Sequence, residues 1–237
     1  MRKVLTIAGK ELRSYFVSPM GYVVLGFLLG VGGLIFALTY TASGIEADPT
    51  YIIRVMVFLI LFMSPVITMG LLAQEWASGS IELLMTNPVR DVELVLGKYL
   101  AAVTLLVIAL VASLEFPLIL EKFGDPDWMV VLTGYIGMLL AGMSFLAIGL
   151  FASSLTSNQI ASGLLGFVML LFFWLIGWLG YNISSEIGEV AKYISVFENI
   201  QDFSKGIIDL RPVVFFLSLI AFFLMLSVRT VENRRTA

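Results

Sequence analysis

Six runs of about 20 apolar residues, each long enough to cross a bilayer, constrain this chain more than any other feature. A spanning helix needs about that many apolar residues to match a hydrocarbon layer roughly 30 Å thick. In that layer every backbone N–H and C=O must be paired within the protein, which a helix does for itself. The runs fall at 20–40, 51–73, 99–120, 128–153, 159–181 and 212–228. Composition agrees. Of 237 residues, 59 % are apolar and 13 % charged, whereas a soluble domain is about 45–50 % apolar and about a quarter charged. The expected fold is an all-α integral membrane protein, a single transmembrane domain over 1–237 with six transmembrane helices.

The same inventory excludes several chemistries. The chain has no Cys and no His. It therefore has no disulfide framework, no thiolate metal site, and neither the commonest metal ligand nor the usual general base. No metal site and no nucleic-acid partner are expected. Gly97-Lys98 is not the end of a P-loop, because Val92 stands where the first Gly belongs and Tyr99 where Ser or Thr belongs. Any nucleotide hydrolysis belongs to another chain.

The polar segments between the runs carry the remaining information. Residues 2–16 place Val4, Leu5, Ala8, Leu12, Tyr15 and Phe16 on one helical face and Arg2, Lys3, Lys10 and Arg13 on the other. Such a helix, here within 1–18, suits the cytoplasmic membrane surface. Nine of the 14 Lys and Arg residues lie in the N-terminal segment, in 74–98 and in the tail after the sixth run. The other five lie in 41–54, 121–127 and 182–211. With six spans both termini share a side, and the positive-inside rule puts them, and 74–98, in the cytoplasm.

The stretch 74–98 is more than a connection. Gly79 or Ser80 can open a short helix with Glu82 near its positive end. Leu83, Leu84 and Met85 supply an apolar face, and Asn87-Pro88 stops it, since a residue before Pro is pushed out of the helical region. Asp91 can cap the helix that enters the third span. A short helix with a defined stop can serve as a lever between a cytoplasmic motor and the membrane, or can simply cover the bundle. In the second long insertion, 182–211, Ile187, Val190, Ile194 and Phe197 recur at helical spacing.

Two further features concern the spans themselves. Gly26 and Gly30 in the first run form a small-x-x-x-small pair, which lets another helix approach closely, within the subunit or from a second one. Arg54 and Glu115 are the ionisable residues nearest the membrane interior. Both sit near the outer ends of antiparallel spans, at similar depth, where they can pair at an outer gate or each reach the headgroups.

The pattern Glu75, Gly79-Ser80-x-Glu82-Leu83-Leu84, Asn87-Pro88-Val89 and Leu96-Gly97-Lys98 resembles the membrane subunit of a type-2 ABC exporter. Phe197-Glu198-Asn199 through Phe203-Ser204-Lys205-Gly206-Ile207-Ile208-Asp209 resembles the family's segment before its last span. The likeness covers nearly the whole chain and is nearest the branch of the gliding-motility permease and the permease linked to copper-enzyme maturation. It implies that 74–98 holds a cytoplasmic coupling helix between spans 2 and 3, seated in a cleft of a separate ABC ATPase and shaped by Glu75, Gly79, Ser80, Glu82, Leu83, Leu84 and Pro88. ATP and Mg would be bound by that partner, with no cofactor on this chain.

The resemblance also implies a second permease copy or a related permease, with Gly26, Gly30 and the fifth span as the candidate seam. Short extracytoplasmic helices between spans 5 and 6 would dip into the outer leaflet. The setting would be the cytoplasmic (inner) membrane of a prokaryote, with room for an accessory membrane or extracytoplasmic protein. Many relatives carry basic residues after the first Glu, whereas Trp76-Ala77-Ser78 follow Glu75 here. The rival readings are an ion-coupled secondary transporter, for which only Glu115 is a candidate group, a non-transporting membrane anchor of an ATPase-driven complex, and, more remotely, an intramembrane enzyme.

Overall fold

A computed structural model describes residues 2–42, 48–79, 90–122, 124–182, 186–207 and 209–236. Those residues form helices and connections, with no strand among them. In chain order the helices are α1 (Arg2–Val17), α2 (Met20–Ala42), α3 (Thr50–Thr68), α4 (Ala73–Ser78), α5 (Asp91–Ser113) and α6 (Glu115–Leu120). They continue with α7 (Trp128–Leu155), α8 (Gln159–Asn182), α9 (Glu186–Ile194), α10 (Val196–Ser204) and α11 (Leu210–Thr236). Six stretches are long and apolar enough to span a membrane: Met20–Tyr40, Thr50–Ser78, Asp91–Leu120, Trp128–Leu155, Gln159–Trp178 and Leu210–Arg235. The expected all-α architecture with six spans is therefore what the chain forms.

The spans are unequal. Those built on α3 and α7 are mostly buried by their neighbours, and those of α2 and α8 are mostly bare. The core lies where α7 packs against α3, α5, α8 and α11. Phe145, Leu146, Ala147 and Ile148 of α7 are fully enclosed. α2 and α8 both pack on α3 and leave long apolar stripes outside the core, including Tyr22, Leu34 and Leu38 on α2 and Ile160, Leu164, Val168 and Phe172 on α8.

Several boundaries differ from the sequence expectation, each for a local reason. The second span, expected as one helix to residue 73, breaks after Thr68 and resumes as α4. Pro65 lies inside α3 and has no N–H to donate. Ser153 of α7 fills the break. Its hydroxyl accepts from the N–H groups of Leu72 (3.1 Å) and Ala73 (3.0 Å) and donates to the Met69 carbonyl (3.2 Å). One side chain thus re-pairs the backbone groups that an interrupted span leaves open. The third span begins at Asp91, with Arg90 rather than Asp91 at the capping position. The Glu93 carboxylate accepts the Arg90 N–H at 3.0 Å.

The sixth span, expected to end near 228, continues as one helix to Thr236. Counting apolar residues finds where the membrane ends, not where the helix ends. The tight turn expected at 154–158 is confined to 156–158, because α7 runs on to Leu155, and Asn158 caps α8 by accepting from the N–H groups of Ile160 (2.9 Å) and Ala161 (3.2 Å).

The 182–211 insertion folds into α9 and α10. Val196, Asn199, Ile200 and Phe203 of α10 are buried against α7 and α8. Gly137 of α7 makes this possible, since a Cβ there would meet Phe203 at 2.7 Å. Thr133 of α7 also donates to the Phe203 carbonyl at 3.0 Å.

A candidate coupling site at one end of the bundle

Gly97-Lys98 joins the third span to the N-terminal helix. A side chain at 97 would run into Ile7 at 2.7 Å and the Val4 carbonyl oxygen at 3.1 Å, so glycine is what lets α1 lie across the head of α5. The next residue uses that closeness. Lys98 is 1 % exposed, and its Nζ lies 2.9 Å from Glu11 Oε1 of α1 and 2.8 Å from Glu75 Oε1 of α4. Burying an ammonium costs several kcal/mol unless its partners sit close. Two carboxylates at hydrogen-bond distance meet that condition and tie α1, α4 and α5 into one joint. The cation opposite Glu75 thus comes from the third span, and not from the residues after Glu75, where Trp76-Ala77-Ser78 stand.

Tyr15 adds a neutral tie. Its hydroxyl donates to the Ile67 carbonyl, at 2.9 Å, near the end of α3. Burial, with Glu11 nearby, pushes its phenol far above the ordinary range, so it remains a proton donor at any physiological pH. Beside the joint an open cleft of about 430 Å³ is lined by Lys10, Arg13, Gln74, Glu75, Ser78 and Lys98, among others. Glu75 Oε2 and Trp76 Nε1 are buried and have no hydrogen-bond partner among the described residues. Gly79 ends α4 with φ +66°, in the left-handed region that glycine enters without strain. It sets the direction in which the chain leaves the joint.

Ser80, Glu82, Leu83, Leu84 and Pro88, expected in the coupling helix, lie outside the described residues. What is described is the frame on either side, with Glu75 and Gly79 before and Asp91 after. Gly26 and Gly30 are exposed, and a Cβ at either would meet nothing within 4 Å. They serve no packing among the described residues. Arg54 and Glu115 are both exposed, and no ion pair joins them.

Lys98, Glu11 and Trp76 were not singled out from the sequence as site residues. Lys98 entered only as part of the Leu96-Gly97-Lys98 pattern, and the crossing of α1 over α5 is what brings it to Glu11 and Glu75. A joint of this kind fastens three helices together. No curated protein matches the chain. Across residues 8–229 it matches the model of the ABC-2 family transporter protein, and with its six spans and charged joint it belongs to that family of multi-pass ABC transporter permeases.

Proposed function

We propose that this chain is the permease subunit of an ATP-driven exporter, with ATP hydrolysed on a separate cytoplasmic ABC subunit. The observation that carries the reading is Lys98 bound to Glu11 and Glu75. It fastens the N-terminal helix, the helix before 79–90 and the third span together at the point where the family's coupling helix belongs. A push on 79–90 would then be felt by α1 and α5 at once. Family membership supports an ATPase partner and the membrane setting. The Lys/Arg asymmetry supports cytoplasmic termini in the inner membrane of a prokaryote. The bare faces of α2, with Gly26 and Gly30, and of α8 support a second permease along that side. The motif pattern supports the gliding-motility and copper-enzyme-maturation branch.

The test is purification of the tagged chain from its own cell in mild detergent, with identification and ATPase assay of what accompanies it. A Glu82→Lys/Leu83→Lys variant is run in parallel. An ATPase that copurifies with the unmodified chain and is lost from the variant supports the reading. A folded bundle that brings no ATPase overturns it.

A further inference from the structure

The C-terminal end of α11 makes three contacts that sequence and family do not account for. α11 has 27 residues, about 40 Å of helix at 1.5 Å per residue, against roughly 30 Å of hydrocarbon. Its last turns therefore stand clear of the apolar layer, and they carry adjacent arginines. The Arg235 guanidinium lies 3.2 Å from the Asp91 carboxylate, on the first residue of α5. The Arg234 guanidinium covers the ring of Trp76 on α4, at 5.1 Å from its centroid. Arg234 also donates to the carbonyl of Leu155, the last residue of α7, where a helix leaves its final carbonyls unpaired.

Trp76 lies three residues before Gly79, and Asp91 lies one residue after Arg90. The two arginines therefore contact α4 and the head of α5, the described helices on either side of 79–90, from a helix more than 140 residues away in the chain. This contact is separate from the Glu11–Lys98–Glu75 joint, which involves other residues of α4 and α5. We propose that Arg234 and Arg235 form a clasp that fastens the end of α4 and the head of α5 to the C-terminal end of α11 and passes movement of those two ends to the sixth span. They are positioning residues, and the proposal rests on the permease reading for what the movement does. The Glu11–Lys98–Glu75 joint fastens α4 to α1 and α5; the clasp adds a direct tie from α4 and the head of α5 to the C-terminal end of α11.

The test compares the unmodified chain with an Arg234→Ala/Arg235→Asp variant in lipid nanodiscs, by hydrogen–deuterium exchange. Exchange in peptides spanning 74–95 is expected to speed up roughly fivefold, the scale of one partly exposed ion pair and one cation–π contact, with 186–204 unchanged. Adding Asp91→Arg to Arg235→Asp alone restores the opposite charges and should bring exchange back. Unchanged exchange at 74–95, loosening across the whole bundle, or failure of the reversal to restore it would overturn the clasp. Where an ATPase copurifies, its permease-dependent hydrolysis is expected to fall in step with the loosening, and hydrolysis that stays level would refute transmission through α11. Absence of any ATPase beside the unmodified chain counts against the permease reading, whereas the exchange result still decides whether the clasp holds α4 and the head of α5.

Discussion

The helices around 79–90 and those at 186–204 interrupt the same bundle, yet they are held by different forces. Around 79–90, α1, α4 and α5 meet through charge: Lys98 with Glu11 and Glu75, and Arg235 with Asp91. At 186–204 the hold is shape. Phe203 fills the notch left by Gly137, Ile200 lies beside it, and Ser195 caps α10 by accepting from Glu198 at 3.4 Å. Packed apolar surface yields little to small displacements, because contact energy falls steeply once a gap opens. Attraction between charges falls off more gradually with distance, so ion pairs persist over a longer range. The charged end is thus tied as a joint and the packed end fitted as a plug.

Breaking the joint should have the larger effect. Lys98→Met keeps the apolar stem but leaves two largely buried carboxylates without their cation. The expected loss is about 3–5 kcal/mol of bundle stability, read as a large fall in the thermal midpoint of the detergent-solubilised chain. A midpoint equal to that of the unmodified chain would mean the joint is not held by charge. On the packed side, Gly137→Val forces α10 outward and should cost about 1–3 kcal/mol. Limited proteolysis should then cut within 186–207 faster and leave 74–98 unaffected. Equal sensitivity at both places would erase the distinction between joint and plug. The smallest effect should come from Arg54 and Glu115. Their Ala variants should each change stability by less than about 1 kcal/mol and add simply in the double variant. A coupling energy above about 0.5 kcal/mol would restore the outer ion pair that the structure lacks.

The sequence by itself determined the architecture. Six apolar runs have only one use for a chain whose backbone must pair within hydrocarbon, and their lengths mark where the membrane lies. The N-terminal helix and the apolar spacing at 182–211 were legible for the same reason, since periodicity is a local property. The ends of the helices were less so. Pro65 announces a disturbance, but the break after Thr68 depends on Ser153, 81 residues away from Leu72, supplying the missing hydrogen bonds. The passage of α11 through 228 to 236 is hidden because polar turns outside a membrane carry no apolar signal.

Side-chain partnerships were decided by the tertiary structure alone. Arg54 and Glu115 were expected at similar depth with opposite charge, and both are exposed with no ion pair between them; depth along a helix says nothing of rotation about it. Lys98 with Glu11, and Arg235 with Asp91, are separated by 87 and 144 residues, and nothing local to either residue selects its partner. What selects it is the crossing of α1 over Gly97 and the length of α11, both consequences of how the helices pack. Charge in a span was readable as a residue that needs a partner. Which partner it found was settled by geometry that no stretch of the chain contains.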